Sequence, residues 1–365
     1  MKSLTKRYYI MVMAFFLITL GVSMEVYASS PVMNCTAEAF TALGFKDEAF
    51  NKNVTFTSAA IVAATATMPE YCYIQGSMHP AIGFEIKLPT TTWNNRFQMT
   101  GCGGGGGSIP SSTVNSYVAK NFASAGTDTG HQGNSLDFTS MNCKKNANCM
   151  QTVIDYGYRS FHEVTVLSKK VIQAYYGSAA TRSYYNGGSC GGRAGMRSFQ
   201  LYPDDFDGWV VAYSNANRYG TQPGLLWSAQ AGLLGDGALP QSKLKLLADS
   251  VMAKCDALDG VVDGLIEDPL RCAFNPMNDL PACAHDVDAS TCFTTAQRTA
   301  LVKIYGGLKT AKRDWPWLGF LAGSEMMIPG SSSPVSNWQG YIIPAPNSAT
   351  TIHQLFSIPS YVDYM

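Results

Sequence analysis

The chain has 365 residues, 46% hydrophobic and 14% charged, and its 26 basic and 26 acidic side chains balance to a formal net charge of zero. A chain this apolar buries a sizeable core, which excludes intrinsic disorder, and zero net charge without a basic stripe excludes nucleic acid as the main partner. The length fits one large domain or two ordinary ones, and a charge content well below the usual ~25% suits a secreted, loop-rich protein.

Lys2, Lys6 and Arg7 precede an apolar run from Ile10 to Leu20, and Val26-Tyr27-Ala28 supplies an A-x-A-like cleavage site. This pattern predicts a signal peptide over residues 1–28 and a secreted or periplasmic location, with no stable membrane anchor after cleavage. The alternative is a membrane anchor, but the run is shorter than the ~20 residues of a spanning helix. All ten cysteines lie beyond this segment, and their spacings lack the paired CxxC pattern of zinc sites, so they read as disulfides.

Phe84–Leu88 and Arg96–Thr100 read as strands, and Gly101-Cys102-Gly103-Gly104-Gly105-Gly106-Gly107 as a loop too rich in glycine for a regular element. A helix-to-strand segment from Tyr117 to Gly126 runs into Thr127-Asp128-Thr129-Gly130-His131. Between Val153 and Tyr176 apolar groups recur at three- and four-residue spacing, which predicts a helix. Ser183–Asn186 is then a short strand, Gly187-Gly188-Ser189-Cys190-Gly191-Gly192 a turn and Arg193–Leu201 a helix. Strand, glycine turn and helix in repetition predict an α/β fold with a parallel sheet. From about Asn215 the rhythm is lost. Pro- and Ser-rich stretches such as Pro329–Ser333, two close cysteine pairs and an acidic cluster suggest an inserted cap with little regular structure.

Gly187-x-Ser189-x-Gly191, set between strand and helix, has the form of a nucleophile elbow, where a serine occupies a strained turn flanked by small residues. The bland alternative is a glycine turn with a buried serine. An elbow serine needs two N–H groups for the developing oxyanion. One comes from the residue after it, Cys190, and the other from an upstream glycine loop, here Gly103 or Gly104. That loop has no GxxxxGK[ST] pattern, so it is not a phosphate loop. Asp256, Asp259 and Asp263 crowd within eight positions and repel one another unless solvated or bound to a hard cation; they do not form an EF-hand pattern.

These segments together resemble the tannase/feruloyl esterase family, which includes the hydrolase of mono-(2-hydroxyethyl) terephthalate. The resemblance rests on Trp93-Asn94-Asn95-Arg96-Phe97 leading into the glycine loop, Thr127–His131, Tyr185–Arg193, Tyr202–Gly208, Cys255–Gly264 and Cys292–Gln297, all in family order. It implies an α/β-hydrolase core with a lid, hydrolysis of aromatic carboxylic esters through a Ser189 acyl-enzyme, and a small aromatic ester as partner. It also implies a structural Ca²⁺ in the lid, on the side chains of Asp256, Asp259 and Asp263 and the carbonyls of Val261 and Leu265. Cys255–Cys272 and Cys283–Cys292 are expected as lid disulfides, with Cys35–Cys72 and Cys143–Cys149 elsewhere. In the family a cysteine commonly precedes the serine, where this chain has Gly188. Cys190 follows the serine instead and is expected to pair with Cys102, because both loops must converge on the oxyanion hole.

The expected division is a signal peptide at 1–28, the N-terminal part of the hydrolase core at 29–214 and a partial lid at 215–365. In α/β-hydrolases the acid and base follow the serine. Only His285 and His353 do so here, and neither has the expected surroundings, while His131 reads as a core histidine. No acid or base is assigned, and the core is expected to be incomplete at the C-terminus. The alternative function is a secreted binding protein or fragment on the same scaffold, lacking the triad Asp and His.

Overall fold

The computed structural model describes residues 30–309, 319–325, 338–345 and 347–359. The signal peptide expected at 1–28 and the Pro329–Ser333 stretch lie outside them. Seven strands form one sheet: β1 (Thr55–Val62), β2 (Tyr71–Met78), β3 (Ile82–Pro89), β4 (Arg96–Thr100), β5 (Ala123–Thr127), β6 (Arg182–Gly188) and β7 (Gly208–Ala212), in the order β1-β2-β3-β5-β4-β6-β7.

The sheet is mixed, which corrects the expectation of a parallel one. β1, β2, β3 and β5 pair antiparallel, and β5, β4, β6 and β7 pair parallel. Only residues 79–81 join β2 to β3, too few for the crossover that a parallel pair requires. β1 sits at the sheet edge with most of its side chains exposed, so its sequence shows no apolar alternation to announce it. The parallel half is built by crossovers. The helix Ser111–Val118 links β4 to β5, the helix Ser160–Tyr176 lies between β5 and β6, and the helix Cys190–Leu201 joins β6 to β7.

The principal core packs these helices against the sheet, with Phe84, Phe97, Phe161, Ile172 and Tyr185 buried in it and Trp93 stacked on Tyr176 at 3.9 Å between ring centroids. A second apolar cluster, including Leu247, Val251, Phe293, Leu301, Ile304 and Trp338, holds the later residues together. That region is more helical than its sequence suggested, with helices at Arg218–Leu233, Leu244–Cys255 and Thr295–Gly306. Pro223 and several glycines obscure the first of these, and a capping box of Thr294 and Gln297 starts the last. No helix among the described residues is long and apolar enough to cross a membrane.

The five disulfides are Cys35–Cys72, Cys102–Cys190, Cys143–Cys149, Cys255–Cys272 and Cys283–Cys292, the pairing expected from the sequence.

Before the helix Ser160–Tyr176 the chain makes one π-helical turn, Asp155–Arg159. The buried Arg159 guanidinium there meets Asp155 at 2.8 Å, Glu163 at 3.4 Å and Asp47 at 3.5 Å, and donates to the His79 carbonyl at 2.8 Å. Glu163 in turn accepts the N–H groups of Glu48 and Ala49, so the N-terminal loop, the β2–β3 turn and the long helix are tied at one point. Arg159→Ala strands three buried carboxylates. Urea denaturation should show a loss of about 3–5 kcal/mol, and a loss below about 1 kcal/mol would mean that protons or water replace the guanidinium.

Candidate active site

β6 runs to Gly188 and the next helix begins at Cys190, so Ser189 alone makes the corner, with φ 55° and ψ −114°. A positive φ on a non-glycine residue costs on the order of 1–3 kcal/mol and persists only where the surroundings impose it. Here the Ser189 N–H donates to the Ala212 carbonyl at 3.2 Å, and the Ser189 carbonyl accepts the Arg193 N–H at 2.9 Å. Close backbone packing adds to this. A Cβ on Gly187 would lie 2.8 Å from the Gly191 carbonyl, and one on Gly191 would lie 2.8 Å from the Gly101 Cα. Strand, turn and glycine loop therefore touch through bare backbone, and the serine side chain is exposed at the corner.

The glycine loop is pinned on both flanks. Gly101 donates to the Asn186 carbonyl at 2.8 Å, and Gly191 to the Cys102 carbonyl at 2.9 Å. The Cα atoms of Cys102 and Cys190 are 5.3 Å apart, within the ~7 Å limit for a disulfide. On the far flank Gly105 donates to the Ser135 carbonyl and Gly107 to the Asp128 carbonyl. Among the described residues no partner takes up the N–H groups of Gly103, Gly104 or Cys190. Of these, Gly104 and Cys190 line one cavity with Ser189, while Gly103 stands outside the lining.

That cavity holds about 630 Å³. Tyr156, Tyr213, Tyr341 and Phe356 give it aromatic walls, Arg193 and Arg218 contribute two cations, and no carboxylate among the described residues lines it. Both guanidiniums are held by rings and oxygens. Arg193 lies 4.1 Å over the Tyr156 ring and donates to the Tyr156 and Gly157 carbonyls, whereas Arg218 donates to the Tyr156 hydroxyl and lies 4.7 Å over Phe138. These wall residues come from separate stretches of the chain, and apart from Arg193, which ends the Tyr185–Arg193 motif, none carries a local sequence signal for a site. Only the tertiary fold brings them together.

His353, set aside in the sequence reading, lies on the helix Ile352–Pro359 and lines this cavity. Burial pushes its pKa down to about 4, so it is neutral at ordinary pH. No hydrogen bond joins it to Ser189, and Phe320 and Tyr341 flank it. His285 is exposed in a turn near the second cluster. His131 is buried beneath the glycine loop, and burial holds its pKa below the usual imidazole value.

The acidic loop follows the helix Leu244–Cys255 and is closed by Cys255–Cys272. Its carboxylates turn onto backbone. Asp256 accepts the Asp263 and Gly264 N–H groups, Asp259 accepts that of Val261, and Asp263 accepts that of Leu265. The donor types suit a hard cation, but among the described residues no three carboxylate, imidazole or thiol side chains are gathered as metal ligands.

Asp128 braces the turn under the glycine loop, accepting the Gly83 and Gly130 N–H groups, both at 2.9 Å, on one oxygen. Burial pushes its carboxyl up to about 7, against the lowering effect of those two donors. The folded protein therefore holds an extra proton above the unfolded value near 4, and the associated stability, full below that value, is lost as pH rises to about 7. Asp128→Asn keeps an acceptor for both N–H groups but cannot titrate. In thermal melts the variant should gain on the wild type steadily from pH 4 to pH 7; a constant difference over that range would show that Asp128 titrates normally.

The family model described as tannase and feruloyl esterase matches residues 64–354. Among curated proteins, the mono(2-hydroxyethyl) terephthalate hydrolase of Piscinibacter sakaiensis is 28% identical over 295 residues, covering 68% of this chain and 47% of that protein. Feruloyl esterase B of Aspergillus niger is 33% identical over 229 residues, covering 61% and 42%. The chain thus spans about half the length of the curated relatives it matches. Among solved structures, feruloyl esterase B from Aspergillus oryzae has a TM-score of 0.63 at 26% identity, covering 89% of this chain and 70% of that one. Tannin acyl hydrolase from Aspergillus niger has a TM-score of 0.68 at 21% identity, covering 93% and 66%.

Proposed function

Because the chain belongs to the tannase and feruloyl esterase family, with an α/β-hydrolase fold, we propose that it is a serine carboxylic-ester hydrolase for esters of aromatic acids. The observation that carries this is Ser189, exposed on a strained corner and sharing one cavity with the unspent N–H groups of Cys190 and Gly104. In the reaction the Ser189 oxygen adds to the ester carbonyl, and the carbonyl oxygen takes up the negative charge between those two donors. The alcohol leaves as the acyl-enzyme forms, and water then releases the acid and restores the serine. Donors fixed in advance need no rearrangement when the charge appears, and each such donor contributes roughly 3–4 kcal/mol in well-studied hydrolases. The disulfide Cys102–Cys190 supports this reading, because it links the two segments that supply the donors. Over acylation the Ser189 proton ends on the oxygen of the departing alcohol.

Aromatic cavity walls and the likeness to a feruloyl esterase and a mono(2-hydroxyethyl) terephthalate hydrolase support an aromatic acyl group. The same proposal includes export through the 1–28 signal, which five disulfides support. It also includes the division into core (29–214) and lid (215–365), supported by the two apolar clusters.

The Ca²⁺ reading also remains part of the proposal: Asp256, Asp259 and Asp263, with the carbonyls of Val261 and Leu265, would hold the ion and brace the loop.

Two measurements test the proposal. Ser189→Ala should abolish hydrolysis of methyl ferulate while leaving the melting temperature within about two degrees; retained turnover would remove Ser189 from the chemistry. Adding EDTA should lower the melting temperature by several degrees and added Ca²⁺ should restore it, since an ion that binds only the folded state stabilises it. Identical melts with and without the ion would leave the loop as a solvated acidic turn.

A further inference from the structure

We propose that Tyr213 is a specificity-determining residue of the Ser189 site, a flat wall that stacks on a planar acyl group and excludes a thick one. The idea rests on the hydrolase reading for what enters the cavity, and on three independent features of Tyr213 for the rest.

The first is position. Tyr213 directly follows β7, whose last residue, Ala212, accepts the Ser189 N–H, and its side chain lines the same cavity as the serine. One hydrogen bond therefore sets the wall relative to the nucleophile. The second is backbone conformation. Tyr213 has φ 32°, a left-handed value that a bulky residue adopts only under constraint. The third is exposure. At 82% it is the most exposed large apolar side chain described, and its hydroxyl makes no hydrogen bond among the described residues. A strained, exposed and unbonded tyrosine adds little to the core. It lies close against Gly188, the residue before the nucleophile.

A Cβ on Gly188 would lie 2.3 Å from Tyr213 Cζ and 2.4 Å from its hydroxyl oxygen. The ring therefore occupies the space that any side chain at position 188 would need. The two positions form a pair: a glycine, and a tyrosine laid over it. The ring lies over Gly188, and the same side chain lines the cavity that Ser189 opens into.

Aromatic pairs in offset or edge contact gain enough beyond simple area burial to change affinity roughly three- to tenfold. An acyl group much thicker than a ring collides with the wall. The site should therefore sort acids by thickness as well as by apolar area.

The test is calorimetric binding of two carboxylates, benzoate (flat) and 1-adamantanecarboxylate (thick), to the full chain. Wild type and Tyr213→Phe should both prefer benzoate. Tyr213→Ala should bind benzoate roughly three- to tenfold more weakly and adamantanecarboxylate more tightly. Tyr213→Gly should show the same reversal and melt higher than Tyr213→Ala, because glycine accepts the left-handed φ. The proposal fails if wild type binds neither acid, if it binds both equally, or if the alanine and glycine variants keep its preference. Ester turnover is scored separately. The predicted binding pattern without Ser189-dependent hydrolysis would sink the hydrolase reading alone; hydrolysis with unchanged binding in the variants would sink the Tyr213 wall alone.

Discussion

The structure turns on one steric constraint, the contact of bare backbone among Gly101, Gly187 and Gly191. Where a strand end, a helix start and a loop meet without side chains between them, their peptide groups come within hydrogen-bonding reach. Gly101 then donates to Asn186 and Gly191 to Cys102, and these bonds set the glycine loop beside the Ser189 corner. The strained φ of Ser189, the unspent N–H groups and the Cys102–Cys190 bridge all follow from that approach. A methyl group at any of the three positions would push the loop away from the serine and disconnect the donors from the nucleophile.

Behind this corner the support is electrostatic. Arg159 faces Asp47, Asp155 and Glu163 out of reach of water, and the His79 carbonyl takes up another of its donors. Such clusters often add little net stability, because desolvation offsets most of the attraction. Their effect here is geometric. Asp155 packs against Gly130, in the turn that carries Asp128 and His131 and whose Asp128 carbonyl accepts the Gly107 N–H. The position of the glycine loop thus depends on a charge cluster with no part in the proposed chemistry.

Legibility in the sequence followed the range of the interaction. β3, β4, the long helix and the elbow were readable because periodicity, glycine runs and a strand–turn–helix pattern are local signals. The bridge between Cys102 and Cys190 was readable because one mechanistic requirement placed both residues at the same point. β1 was missed because an exposed edge strand carries no alternation, and β2, between β1 and β3, because its burial does not alternate either. The helices after Asn215 were missed because Pro223, glycines and prolines mask their periodicity. The cavity walls, Tyr156, Tyr213, Arg218 and Phe356, were out of reach for another reason: each is an ordinary residue in its own segment, and only tertiary contact gives it a role. The acidic loop was noticed for its charge, but its side chains turn onto neighbouring backbone N–H groups, a local alternative that charge counting does not foresee.

The long span of the Cys102–Cys190 bridge, 88 residues, bears on how an emerging chain is oxidised. Cys143 and Cys149 leave the synthesis machinery between the two partners, and loop-closure entropy favours these nearer thiols, though by less than about 1 kcal/mol. A preference that small is overridden by five registered residue pairs of the β4–β6 ladder, which carry Cys102 and Cys190 to the same sheet end. Correct thiol pairing is therefore a readout of sheet assembly. A chain whose central strands assemble late is exposed to scrambled cross-links before its corner serine has a site to occupy.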